Sequence, residues 1–454
     1  MSGPGDVMAR LDELGADFLW LVYHDYSGLG RAKAVTRDRL ADAVEHGVTW
    51  ARANWNIAIN DHLIPEPGFA ADSGDFIARP DPATLVPVPY RERVAQALSI
   101  LADETGQPWD GDPRGRLRAQ VVALAERGFE AQVAFETEFL LARPIADDAW
   151  TPADRGRMFT VDELEARWTW SVRMLDALAV MGIPLHQFAK EYGMGQYELS
   201  LLPADPVTAV DRFVLARQAI KALARDDGMV ATFMPKPFAD LPGNGLHVHI
   251  SLWLPGQIDA TADPADDAGL SEVGRAAVAG LLAHGRAQAA LGSPTANSYK
   301  RLLPGSWAPA HVCWAEGNRA ALVRIPGRGA ARRLEYRSGD ASASPYLHLA
   351  GLLAAIVDGI ARRQTPPPPV AGDIGHLTDE EAAAKGATRL PQSLGEALDA
   401  LEEDEVLRTM LGPTIDEHYR AVKRYELACA DEAGAGAPGT EVTEWERRTY
   451  LEPL

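Results

Sequence analysis

The sequence predicts an α+β fold, a small N-terminal sheet domain followed by a larger region in which strands and helices take turns. Three observations carry this reading. Short β-rich runs around a Ser27-Gly28 turn open the chain, DFLWLVYHDYSGLGRAKAV and then HGVTWARANWNIAIN. Apolar strands and stretches with apolar residues at helical spacing alternate through the middle. With 454 residues and 46% hydrophobic content, the chain is long enough for one large core and a smaller companion.

The N-terminal domain ends near the proline-rich RPDPATLVPVPYR, which sets the division at 1–100 and 101–454. RGRLRAQVVALAERGF then reads as a helix stopped by Gly128. The apolar strand VAFETEFLLA opens the larger region, and the helical stretches ELEARWTWSVRMLDALAVMG and DPVTAVDRFVLARQAIKALARDDG follow. The last hundred residues read as mostly helical. TPPPPV (365–370) and GAGAPG (434–439) are short spacers, and LPGQIDATADPADDAGL (254–270) is an acidic surface loop.

A net charge of -20, from 64 acidic and 44 basic residues, repels phosphate backbones, so neither nucleic acid nor an anionic membrane is expected as a partner. Cys313 and Cys429 are the two cysteines, and no secretory leader or apolar stretch of about 20 residues is visible. A cytoplasmic protein is expected.

Chemistry gathers in four segments. FETEFLL places Glu136 and Glu138 two apart, LHVHISLW does the same with His247 and His249, and RLEYRSGD with Glu335 and Arg337. KEYGMGQYELSLLP carries Glu191 before a glycine-rich bend and Glu198 just inside the next strand. Residues i and i+2 of a strand share a face, so each pair presents two strongly polar groups opposite apolar neighbours. One such pair alone is ordinarily the wet face of a sheet. Four of them, built from glutamate, histidine and arginine, predict convergence on one cleft.

Five glutamates cannot share a desolvated site unless cations offset them or their pKa values rise far above normal. Oxygen-rich ligation with one or two imidazoles suits Mg²⁺ or Mn²⁺. Such ions hold substrate phosphates, which also accounts for a second cluster: Arg301, Arg319, Arg324, Arg333 and Arg337, whose forks match carboxylate and phosphate oxygens.

At these residues the sequence resembles the glutamine synthetase family, through FETEF, EYGMGQYE, PKPF with GNGLHVHISL, NSYKRLLPG, NRAALVRIP and RRLEYR, and then LPQSLGEAL, KRYE and VTEWER. The resemblance implies a β-grasp N-terminal domain and a catalytic domain with a curved antiparallel sheet and surrounding helices. It implies ATP and two or three Mg²⁺ or Mn²⁺ ions per site, and a homo-oligomer, commonly a dodecamer of two hexameric rings. By motif position Glu138, Glu191 and Glu198 look like ligands of one metal, and Glu136, His247 and Glu335 of another. His249, Ser251 and Arg333 look like nucleotide contacts, Arg319 and Arg324 phosphate contacts, and Gly243, Arg301 and Arg337 glutamate contacts. The implied mechanism activates the γ-carboxylate of glutamate as an acyl phosphate, which an amine then attacks.

The sequence departs from the ammonium-using members in four places. RLLPGSWAP carries Trp307 where those members have a glutamate, and TWARANWN offers no aspartate where they have an FDGSS-like stretch. Pro242 replaces an asparagine before GNG, and Ser344-Pro345-Tyr346 replaces Asn-Pro-Tyr. Losing two acidic partners disfavours ammonium and points to the branch that makes γ-glutamylamides. Trp307 then either packs its loop down or lines a pocket for the alkyl part of an organic amine, facing its cation with the ring. A short alkyl or hydroxyalkyl amine such as ethanolamine is expected before a polyamine, whose second cationic end would need carboxylates. Candidate bases for the amine are Asp61, His62 and Glu66. The alternatives are true glutamine synthesis with ammonium and a non-catalytic ring-forming relative. GATRLPQS lacks a tyrosine for covalent modification.

Overall fold

The computed structural model describes residues 4–64, 68–70, 72–146, 149–436 and 439–454. Glu66 lies outside them. The N-terminal unit contains α1 (Pro4–Glu13), β1 (Phe18–His24), β2 (Gly30–Thr36), α2 (Leu40–His46), β3 (Val48–Ala51), β4 (Asp75–Pro80), β5 (Val86–Pro87) and β6 (Val94–Asp103). Its sheet runs β2-β1-β6-β4-β3, with β1 parallel to β6 and the other pairs antiparallel. Val7 and Leu11 of α1 and Leu40, Ala43 and Val44 of α2 bury against Leu19, Val35, Ala95 and Ala97 of the sheet. The short β-rich runs do not announce these two helices. Nor is RANWN a strand: Arg52–Asn56 form a 3-10 turn that buries Trp55. Strand β6 runs across the expected division at residue 100.

The remainder begins with α3 (Pro113–Ala125), capped by Asp112, and Gly128 takes the left-handed conformation, φ +84°, that ends the predicted helix. Then come β7 (Glu130–Ala146), β8 (Ala149–Pro152), α4 (Val161–Ala166), α5 (Trp168–Val180), β9 (Leu185–Lys190), β10 (Gln196–Leu201), α6 (Pro206–Asp226) and β11 (Val230–Thr232). β12 (Leu246–Leu254), β13 (Ile258–Asp259), α7 (Glu272–Ala283), α8 (Gly285–Gly292), β14 (His311–Val312), β15 (Trp314–Glu316), β16 (Val323–Ile325) and β17 (Leu334–Tyr336) follow. The chain ends with α9 (Pro345–Ala361), α10 (Asp379–Ala383), β18 (Thr388–Arg389), α11 (Leu394–Glu403), α12 (Glu405–Glu432) and α13 (Glu444–Tyr450). The predicted helix ELEARWTWSVRMLDALAVMG is broken at Arg167 into α4 and α5, and the acidic loop carries the short strand β13.

The large sheet, a curled half-barrel, runs β15-β16-β17-β12-β7-β10-β9 and is antiparallel except for β15 with β16. Strand β7 explains how it is two-faced. Val133, Phe135, Thr137 and Phe139 are buried, and Phe135 stacks on Phe213 of α6 with ring centres 5.2 Å apart. Glu136 and Glu138, out of phase by one residue, face the other way.

Two C-terminal motifs act as anchors. In KRYE, the Glu426 carboxylate accepts from Lys423 Nζ at 2.6 Å, from Ser27 Oγ at 3.1 Å and from the Ile59 amide at 2.8 Å, which ties α12 to the N-terminal unit. In VTEWER, buried Glu446 accepts from Lys300 Nζ at 2.8 Å and Asn297 Nδ2 at 2.9 Å, which fixes the turn leading into Arg301. Among the described residues no helix is long and apolar enough to cross a membrane.

Candidate active site

Sheet register assembles the polar pairs. Glu198 on β10 lies opposite Glu138 on β7, Glu136 opposite His247 on β12, His249 opposite Glu335 on β17, and Glu335 opposite Arg324 on β16. The four segments therefore meet on one face. Glu136 lies 2.9 Å from His247 Nδ1 and 3.3 Å from His249 Nε2, while His247 Nδ1 lies 3.8 Å from Glu335. Ligand atoms of Glu136, His249 and Glu335 all come within 4.8 Å of one another.

Electrostatics follow from this crowding. Burial pushes Glu198 up, and the charges of Glu136, Glu138 and Glu191 add to it, giving about 9. Burial and Glu138 likewise raise Glu191. At the other end burial acts upward on Glu136, but hydrogen bonds and charge from His247 and His249 outweigh it and hold the carboxyl well below its usual range. Glu335 is fully buried; Arg337, the two histidines and Arg324 overcome its burial and lower it. One end of the cluster is thus short of positive charge, and this donor set of oxygens with an imidazole fits a hard divalent cation.

Hydrogen bonding separates the two histidines. Arg333 Nε can only donate, and it lies 3.1 Å from His249 Nδ1, so that nitrogen is the acceptor and Nε2 carries the ring proton toward Glu136. His249 held this way has no lone pair to offer the cluster. His247 presents Nδ1 to both Glu136 and Glu335, and burial, then Arg337, lower its pKa. Ser251, next on the same face of β12, accepts from Trp253 Nε1 at 2.9 Å.

The guanidinium groups of Arg301, Arg324, Arg333 and Arg337 surround this row. Arg324 Nη1 donates to Glu335 Oε2 at 2.7 Å. Arg337 pairs with Glu335 through Nη1, donates from Nε to the Arg319 carbonyl at 2.9 Å, and from Nη2 to the Trp307 carbonyl at 3.3 Å. Buried Arg301 donates to the carbonyls of Ser338 and Arg337 at 3.0 and 3.1 Å. Its stem packs on Gly243, where an added Cβ would come within 2.8 Å of Arg301 Cγ, so only glycine fits. Arg319 itself is exposed.

Trp307 does not pack its loop down. The indole is 75% exposed, and its backbone sits at φ +60°, a conformation a bulky residue adopts only where its surroundings impose it. Of the candidate bases, Asp61 pairs with Arg31 at 3.1 Å and His62 stacks on Tyr425 with ring centres 5.0 Å apart.

Sequence reasoning overlooked Gln196, which is buried beside Glu198 and joins two loops of the site. The signal was present: Gln196 and Glu198 are themselves two apart on one strand. It also overlooked Asn244, hidden by its place in a glycine-flanked loop.

The profile of the family described as "Glutamine synthetase, catalytic domain" matches residues 110–450. A glutamine synthetase of Methanocaldococcus jannaschii is 37% identical over 387 residues, 84% of each chain. One from Pyrococcus abyssi is 33% identical over 442 residues, 96% of each chain. Among solved structures, one described as "GmaS/ADP complex-Conformation 1" superposes with a TM-score of 0.84 at 31% identity, covering 98% of this chain and 99% of its own. Another, "Crystal structure of novel glutamine synthase homolog", gives 0.83 at 30%, covering 97% and 99%. Fold, carboxylate row and relatives define an ATP-dependent ligase of a class that uses divalent metals. The chain belongs to the glutamine synthetase family.

Proposed function

We propose that this enzyme joins the γ-carboxylate of glutamate to a short alkyl or hydroxyalkyl amine, of which ethanolamine is the example, rather than to ammonium. The observation that carries this reading is Trp307: its indole stands exposed on a loop fastened to Arg337, at the position where the resemblance puts an ammonium-binding glutamate. A ring there covers an alkyl chain and faces a cation, worth about 0.5–2 kcal/mol, while offering no carboxylate to ammonium.

In this reading Glu138, Glu191 and Glu198, with Glu136, His247 and Glu335, hold divalent ions, which supply charge neutralisation for the ATP phosphates. Arg319 and Arg324 steady the phosphates, and His249, Ser251 and Arg333 contact the nucleotide, in keeping with the ADP complex of the GmaS neighbour. Gly243, Arg301 and Arg337 orient glutamate. A γ-carboxylate oxygen bonds to the γ-phosphorus as the bond to ADP breaks. The amine nitrogen then bonds to the carbonyl carbon of the γ-carboxyl group, its proton is released, and inorganic phosphate leaves with the electron pair of the broken C–O bond. The working unit is a ring assembly, two stacked hexamers, which light scattering would measure directly.

Ammonium is the rival nucleophile, favoured by the names of the M. jannaschii and P. abyssi relatives. Phosphate release with glutamate, ATP and Mg²⁺ across ammonium, methylamine, ethylamine, ethanolamine and a polyamine decides between them. The expected result is the highest kcat/KM for a short organic amine. A clear ammonium preference overturns the reading.

A further inference from the structure

Gln196 stands between the two loops that the proposed function assigns to metal and to glutamate. It is 2% exposed, and each polar atom of its side chain is used. Oε1 accepts from the Gly193 amide at 3.0 Å, inside the bend that carries Glu191. Nε2 donates to the Gly243 carbonyl at 2.9 Å and to Asn244 Oδ1 at 3.0 Å. The orientation is fixed by chemistry, because an amide N–H meets Oε1 and two acceptors meet Nε2.

Each loop has other holds as well: the Gly195 amide donates to Asp154 Oδ1 at 2.7 Å, and Met194 and Leu241 share one apolar cluster. The Glu191 amide donates to the Gln196 carbonyl at 2.9 Å, and Lys190 Nζ donates to the Glu191 carbonyl at 3.1 Å, which sets the bend on its strand. The Gly243 loop is pinned by Asn244, whose Nδ2 donates to the Met234 carbonyl at 2.9 Å, and it ends at the Gly245 amide, which donates to Glu138 Oε2 at 2.7 Å. The Gln196 side chain is thus the strut between the Glu191 bend and the glycine loop against which Arg301 packs.

We infer that Gln196 is a positioning residue that couples occupancy of the metal site at Glu191 to glutamate binding at Gly243. This rests on the proposed roles of Glu191 and Gly243. Gln196 supplies the hydrogen-bonded path by which a shift of either loop is passed to the other, and such coupling is reciprocal: each ligand tightens the other by the same factor.

The test uses the full chain, with Mn²⁺ binding followed by electron paramagnetic resonance and glutamate and ADP binding by calorimetry. Gln196→Met keeps the volume and removes all three side-chain hydrogen bonds. It should weaken Mn²⁺ and glutamate binding by about 10- to 100-fold each and reduce their mutual enhancement at least about fivefold, with ADP affinity within about twofold. Asn244→Ala approaches the strut from its other end and should reduce the same enhancement. A lower melting temperature with the enhancement intact overturns the inference, and so does loss of the fold in both variants, which leaves Gln196 a role in stability alone. Failure of the unsubstituted protein to bind Mn²⁺ or glutamate overturns the site assignment itself, and the inference with it.

Discussion

Arg337 donates to the backbone carbonyl of Trp307 at 3.3 Å while pairing with Glu335, so the exposed indole and a carboxylate of the polar row hang on one guanidinium. Three anchor points in fixed geometry are what an arginine fork provides and a lysine does not. The loop's conformation is therefore set from the site outward, not by burial of its tryptophan.

Trp307→Gly separates a packing role from a functional one. The residue sits at φ +60°, where glycine is at ease, and its side chain buries little. The melting temperature should hold or rise slightly, while kcat/KM for an organic amine falls about tenfold. Trp307→Glu should raise ammonium use as amine use declines. A large drop in melting temperature with unchanged amine kinetics would refute both.

Metal binding should release protons. Glu198, raised to about 9, is protonated at pH 7 and must ionise to ligate. Calorimetry of Mn²⁺ binding in buffers of different ionisation enthalpy should find about one proton released per site at pH 7, and none in Glu198→Gln. Equal heats in all buffers would contradict this.

His284 should make stability depend on pH. Its Nδ1 lies 2.6 Å from Asp404 and its Nε2 3.3 Å from Asp358, so both nitrogens must donate and the ring is charged. Burial lowers its pKa, but the two aspartates outweigh it and the net shift is upward. A raised folded pKa contributes stability in full below the unfolded value of about 6.5, and loses it as pH climbs through the folded value. The melting-temperature gap between wild type and His284→Gln should be wide at pH 6 and narrow at pH 9. Equal gaps would count against the ion triad.

Glu426→Gln strands the fully buried Lys423 ammonium. Urea unfolding should show a loss of about 3–5 kcal/mol, much of it recovered when Lys423→Met is combined with Glu426→Leu. A loss below about 1 kcal/mol would remove KRYE as an anchor between α12 and the N-terminal sheet unit.

The carboxylate row was legible in the sequence because strand geometry is periodic: Glu136, Glu138, His247, His249 and Glu335 each follow from a two-residue repeat, and register does the rest. Loops hold no such period. Gln196, Asn244 and the hold of Arg337 on Trp307 depend on distances between segments far apart in the chain. For the same reason α1 and α2 went unseen, their short apolar faces making sense only against the sheet they cover.

The most direct test is competition. With glutamate, ATP and Mg²⁺, the enzyme is given ammonium and ethanolamine or methylamine at equal concentration, and products are separated by mass. The γ-glutamylamide of the organic amine should dominate, and glutamine should dominate only in Trp307→Glu. Glutamine as the main product of the unsubstituted enzyme would contradict the account.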